Sequence, residues 1–343
     1  MSEKVTRVEW VDTVKFWGML LVVAGHHETF GTLEKSIIFS FHMPLFFFLS
    51  GLFVKKRGIF GIMKKGIKSY ILPYIVLTLA CAFTAGYLRG IVFGAYGAEN
   101  YDIEWMLKTS FLYGNGWSLM WFLPCLFTVS VLMEVLLHVI ANDILRGIAI
   151  AAINIVTVVY IPGPLFWELH EALVALLFVY LGYMVRKYAL DESMTLKSNV
   201  MHSRTFRIQL VVVAIVWTYC VIQRIYVNMV WSSYPAYPLS IVGAICGIEL
   251  FILLVKCIPG NDFIRKMGKN SLLIYMVHCI EHNFIPWEII NSGLPEILSW
   301  SPIGVRVCTL LVRAAGILLI STIIIEIKER CYKRLKTGKN GKK

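Results

Sequence analysis

Charge is what this sequence has least of. Only 16% of its 343 residues are Asp, Glu, Lys or Arg, where a soluble domain carries about 25%. Hydrophobic residues make up 58%, and the mean hydropathy is +0.70. That balance excludes a soluble enzyme, a disordered chain and a secreted disulfide scaffold. The eight cysteines have no CxxC spacing and mostly sit inside apolar runs. They read as small packing residues, with neither a disulfide framework nor a zinc site. Gly-rich phosphate loops, repeats of 20–50 residues and low-complexity tracts are missing as well. No polar stretch is long enough for a soluble core, since the longest connections run only over about 94–116 and 186–206. Acidic residues are scarce too, 21 against 33 basic, a net charge of +12. Such an excess can mark a nucleic-acid binder, but its distribution along this chain follows membrane topology, so no nucleic-acid partner is expected.

Long apolar runs are what is there. A helix needs about 20 apolar residues to cross the hydrocarbon core, and ten runs of suitable size lie near 11–29, 36–54, 70–93, 117–139, 146–161, 168–185, 207–228, 237–255, 269–286 and 304–327. The expected fold is all-α and polytopic, with about ten transmembrane helices in one integral membrane domain over 1–343. Lys15 and Asp12 interrupt the first run, and no small-residue cleavage site follows it, so a cleavable signal peptide is not expected. With a cytoplasmic N-terminus, most basic residues fall in inside connections. Six lie between the second and third runs (Lys55, Lys56, Arg57, Lys64, Lys65, Lys68), and eight lie in the tail from about 328. Positive-inside orientation therefore puts both termini in the cytoplasm of a multi-pass cell-membrane protein. The tail reads as a juxtamembrane segment drawn to anionic membrane lipids.

Ionisable groups inside such runs cost about 2.5–3.5 kcal/mol on insertion scales and call for a partner or a function. The first run holds Asp12, Lys15, His26 and His27. Lys15 and His26, eleven residues apart, lie within about 20° on one helix face and about 16 Å apart along the axis. A polar stripe of this kind faces a wet interior. A structural Asp12–Lys15 ion pair and interfacial capping histidines are the plainer alternative. In the second run, Pro44 invites a kink near His42, and Ser50-Gly51 permits close helix approach; His42 serves equally well as a packing histidine.

These residues carry a family resemblance. Asp12-x-x-Lys15-x(10)-His26 followed by Phe41-His42-Met43-Pro44-Leu45-Phe46-Phe47-x-x-Ser50-Gly51 resembles the integral membrane acyltransferase-3 family, which includes bacterial O-acetyltransferases of surface glycans. Lys15 and His26 fill its first-helix signature of a basic residue, ten residues and a histidine. Lys65-Gly66-Ile67-Lys68 stands where the family has Arg-x-x-Arg, which keeps the charge but loses the guanidinium fork. Gly116-Trp117-Ser118-Leu119-Met120-Trp121-Phe122-Leu123-Pro124 is similar to its Trp-Phe-Leu segment, and Ser271-Leu272-x-x-Tyr275-x-x-His278 to its late Ser-Leu-x-x-Tyr-x-x-His segment. The resemblance is to the short, stand-alone members, without a fused esterase-like domain.

The resemblance implies transfer of an acetyl group from acetyl-CoA to a hydroxyl of a cell-surface or lipid-linked glycan, with no metal. His26 is implied as general base, a role an imidazole suits at neutral pH. Lys15, balanced by Asp12, is expected to line the donor path, and Lys65 and Lys68 to meet the donor phosphates. Ser271, Tyr275 and His278 follow i, i+4, i+7 and share a helix face. They suit substrate binding or oxyanion stabilisation, or plain interhelical hydrogen bonding. Trp117 and Trp121 suit ring stacking or an interfacial aromatic belt. His42 is placed among the substrate-binding residues. Oligomeric state is open. The rival reading is a transporter or flippase of a lipid-linked sugar, without chemistry.

Overall fold

The computed structural model describes residues 8–27, 30–94, 102–116, 119–163, 165–190, 204–298 and 301–340. Among these the chain is helices joined by turns, with no β-strand. The helices are α1 Glu9–Gly25, α2 Thr32–Phe39, α3 His42–Gly51, α4 Ile59–Phe93, α5 Ile103–Leu112, α6 Phe122–Val139, α7 Asp143–Tyr160, α8 Leu169–Tyr188, α9 Arg204–Ile222, α10 Leu239–Lys256, α11 Asp262–Lys269, α12 Ser271–Phe284, α13 Trp287–Leu298 and α14 Pro302–Asn340.

Every one of the ten apolar runs contains a helix. Seven helical stretches are long and apolar enough to cross a membrane: Thr32–Gly51, Ile59–Phe93, Phe122–Val139, Asp143–Tyr160, Phe166–Ala189, Leu239–Lys256 and Ile303–Arg334. The remaining three runs hold shorter helices. α1 has 17 residues, α12 has 14, and the apolar part of α9 is Arg207–Ile222. The fold is an all-α polytopic membrane fold.

Three local departures from the sequence reading bear on the site. The first helix ends at Gly25, earlier than the apolar run, so His26 is its C-terminal cap. The second run breaks at Ser40-Phe41, before Pro44. Pro44 falls in the first turn of α3, where a backbone N–H has no helical partner to lose. The basic segment expected as a connection is helical: α4 begins at Ile59, so Lys64, Lys65 and Lys68 ride on it. A π turn at Ile67–Ile71 directly precedes Pro73 and relieves its clash with the preceding turn.

The core is built by close helix approach. α3 runs along α8, and a Cβ placed on Gly51 would stand 2.1 Å from the carbonyl oxygen of Val179. Leu45 and Phe47 of α3 and Phe178 of α8 are fully buried, as are Tyr74 of α4 and Leu123 of α6. α11 lies against α1 in the same manner, Gly268 meeting the backbone of Asp12. Asp12 is thereby buried at the α1–α11 contact.

Candidate active site

Two cavities lie one beyond the other along α1. The first, about 270 Å³, has Lys15, Lys55, Arg57 and Lys65 in its lining, with Ser271. The second, about 220 Å³, is lined by His26, His42, His278 and His282, with Trp121 and residues 227–231. Val22, Met43 and Tyr275 belong to the walls of both. These three residues form a collar between a basic chamber and a histidine chamber.

Helix geometry explains the arrangement. His26 lies one turn beyond Val22 on α1, and His278 nearly one turn beyond Tyr275 on α12. His42 immediately precedes Met43, at the α2–α3 break. Ser271, Tyr275 and His278 share one face of α12, as their spacing requires. Ser271 meets the basic chamber, Tyr275 the collar and His278 the histidine chamber. Lys15, about three turns before His26, opens onto the basic chamber with its ammonium 5.5 Å from the Phe53 ring.

The histidines are held in defined tautomers. Nδ1 of His26 is 2.7 Å from the carbonyl oxygen of Val22, and Nδ1 of His42 is 3.0 Å from that of Ile38. A carbonyl only accepts, so both rings carry hydrogen on Nδ1 and keep a lone pair on Nε2. The ring centroids of His26 and His278 are 5.4 Å apart, and those of His26 and His282 are 5.8 Å apart. Among the described residues no group of His, Cys, Asp or Glu converges as a metal site.

Not every expected residue reaches a chamber. Lys65 lines the basic one, but Lys68 is exposed elsewhere on α4. Asp12 lines neither chamber. The hydroxyl of Tyr275 donates to the carbonyl of Leu119, so its single proton is already used. Trp121 lines the histidine chamber and packs edge-on against Phe122, which lines the basic one. Trp117 lies outside the described residues.

The structure adds residues that the motifs did not single out. Arg313 of α14, fully buried, pairs with Glu281 of α12. Glu281 lies 3.3 Å from Nδ1 of His278. Arg313 also donates to the carbonyl of His26 at 3.1 Å. The signal for Arg313 was in the sequence: it is the lone charged residue in the apolar run 304–327 apart from Arg306 at its edge and Glu326 at its end. The 227–231 wall follows α9 and is tied down where Ser232 donates to Glu171 of α8. At the basic chamber, Glu134 of α6 accepts from the backbone N–H groups of Arg57 and Gly58 at 2.8 and 2.6 Å.

The family model described as an acyltransferase domain matches residues 8–322, nearly the whole chain. The chain belongs to that family. No curated protein and no solved structure gives a match. The basic chamber, the histidine chamber and the collar between them are thus features of a membrane acyltransferase.

Proposed function

We propose that this membrane acyltransferase moves an acetyl group from acetyl-CoA to a hydroxyl of a cell-surface or lipid-linked glycan, with His26 as general base. The observation that carries the reading is the series of chambers: a basic one and a histidine-lined one, joined at Val22, Met43 and Tyr275. A donor that is a polyanion at one end and a thioester at the other fits that order. Lys55, Arg57 and Lys65, with Lys15 deeper in, offer charge to its phosphates. An extended pantetheine arm matches the roughly 16 Å from Lys15 to His26 along α1, which brings the thioester to the collar.

The chemistry then needs a base for a weakly acidic hydroxyl. His26 has its Nδ1 hydrogen donated to Val22, which leaves Nε2 to take the proton as the oxygen attacks the acetyl carbon. The carbon–sulfur bond breaks as the tetrahedral intermediate collapses, and the thiolate recovers a proton to leave as CoA. With the basic chamber cytoplasmic, as positive-inside placement expects, the acceptor meets the histidine chamber from the opposite face of the membrane. The aromatic wall of Trp121 and Trp231 suits the apolar face of a sugar ring.

Purified protein with acetyl-CoA and a glycan hydroxyl acceptor should release free thiol only when both are present, and the acceptor should gain one acetyl group by mass. Binding of acceptors with no thiol release from acetyl-CoA would overturn the reading in favour of transport.

A further inference from the structure

The proton taken from the acceptor has to reach the departing sulfur, and the histidine chamber holds a second imidazole arranged to carry it. His278 is completely buried. Its Nδ1 lies 3.3 Å from Oε2 of Glu281. A carboxylate only accepts, so the hydrogen sits on Nδ1 and the lone pair of Nε2 is the ring's free side. That Nε2 atom is buried and has no hydrogen-bond partner among the described residues, on a ring that lines the chamber.

Glu281 is itself fixed from two sides. Arg313 donates to it through Nε at 3.0 Å and through Nη2 at 3.4 Å, and the indole N–H of Trp287 donates to the same carboxylate. The guanidinium lies 5.0 Å over the Trp287 ring, and its Nη1 donates to the carbonyl of His26 at 3.1 Å. One buried arginine therefore sets both the carboxylate behind His278 and the backbone of His26. The two imidazoles differ in what stands behind them. An imidazolium at His278 faces a carboxylate, whereas one at His26 faces only a backbone dipole. His282 does not compete for this place. Its Nδ1 is 3.4 Å from Nη2 of Arg313, which can only donate, so its hydrogen sits on Nε2 and it has no lone pair to offer the chamber.

We propose that His278, oriented by the positioning residues Glu281 and Arg313, is the second proton station of the transfer. It receives from His26 the proton of the acceptor hydroxyl and delivers it to the leaving thiolate. The step balances without a further reactant. The O–H bond breaks as N–H forms at His26. The proton then passes from Nε2 of His26 to Nε2 of His278, on neighbouring rings whose centroids are 5.4 Å apart. S–H forms as His278 gives it up, and both histidines return to their starting tautomers. The inference rests on the acyltransferase reading with His26 as base.

Its test uses leaving groups. Full-length enzyme is assayed with acetyl-CoA and with an acetyl ester of 4-nitrothiophenol, whose thiolate departs without a proton. Glu281→Gln and His278→Gln should each lose about 10²-fold in kcat with acetyl-CoA, keep the donor KM, and recover most of that loss with the nitrothiophenyl ester. Glu281→Asp should retain partial turnover with acetyl-CoA. His26→Ala should stay inactive with both donors, so failure of the base assignment shows in that variant and failure of the relay in the other two. Glu281→Gln with Arg313→Gln keeps the site neutral if the single change leaves an uncompensated arginine that prevents folding. It should fold and show the same donor-dependent recovery. Equal losses with both donors, or normal acetyl-CoA turnover in folded Glu281→Gln or in that double variant, would make the pair structural and overturn the proposal. Independently of activity, ¹⁵N spectra should place the His278 hydrogen on Nδ1 in the wild type; a hydrogen on Nε2 would overturn it as well.

Discussion

A histidine becomes a base when one ring nitrogen is tied down and the other is aimed at the substrate. In this chain the tie is made locally, by a carbonyl four residues back, for both His26 and His42. That local device costs nothing in tertiary structure, so removing the His26 ring should leave folding intact. His26→Ala is expected to keep its melting temperature within a few degrees and to lose transfer by roughly 10²–10⁴-fold. Purified variant with more than a tenth of wild-type turnover would place the base elsewhere. The lysines divide in the same residue-level way. Lys65 lines the basic chamber and Lys68 does not. Lys65→Gln is therefore expected to raise the acetyl-CoA KM about tenfold, the ~1.4 kcal/mol of one charge-assisted contact, with an effect that shrinks at high salt. Lys68→Gln should change it far less. Equal effects of the two would show that the cluster acts only through its overall field.

Elements matter here chiefly where they stop. The break at Ser40-Phe41 puts His42 at the first position of α3 beside the chamber, and the end of α1 at Gly25 leaves His26 as a cap instead of a mid-helix residue. The break at Ser40-Phe41 was not legible from hydropathy, because Phe39 and Phe41 keep that run apolar, whereas the stop at Gly25 coincides with the polar His26-His27 pair at the end of its run. The runs themselves were legible, since lipid demands about 20 apolar residues in succession, and so was the shared face of Ser271, Tyr275 and His278, which follows from 3.6 residues per turn. The pairing of Glu281 with Arg313 was not, because 32 positions of chain separate partners that only helix packing unites. The start of α4 is another tertiary effect. Gly58 stands at φ 79° and its N–H, with that of Arg57, is held by Glu134 of α6. Glu134→Ala leaves two donors without that acceptor, at a cost of about 1–3 kcal/mol, and loosens the segment that carries Lys55 and Arg57. Lower thermal stability with a raised donor KM and unchanged kcat is the expected outcome. Glu134→Gln, which keeps an acceptor oxygen, should retain most of both. A kcat defect with normal donor KM would detach this cap from the donor chamber.

At the scale of the whole molecule, orientation in the membrane and passage between the chambers decide which face each substrate meets. Cys257, just after α10, and Cys331, on α14, are both exposed, and basic-residue placement puts both on the cytoplasmic side. An impermeant maleimide is expected to label them in inside-out vesicles and to leave them unlabelled in intact cells; labelling from outside would reverse the orientation. Passage depends on the collar. If the acyl thioester is presented there, Met43 sets how large an acyl group the enzyme transfers, because Val22 and Tyr275 are buried on the helices behind it while Met43 keeps some exposure at the boundary. Methionine is unbranched and adaptable, so shortening it to alanine removes bulk with little strain on the surrounding helices. Met43→Ala is expected to raise the rate with butyryl-CoA relative to acetyl-CoA by about tenfold or more, the scale on which a pocket discriminates methylene groups. Met43→Trp should do the reverse in a separable manner. Donor binding, measured by protection of the basic chamber or by direct titration, should stay within about twofold, under 0.5 kcal/mol, while acetyl transfer falls sharply. If Met43→Trp transferred acetyl groups at the wild-type rate, and Met43→Ala left the acyl-chain preference where it was, the thioester would not pass between Val22, Met43 and Tyr275, and the two chambers would have to be assigned to separate ligands.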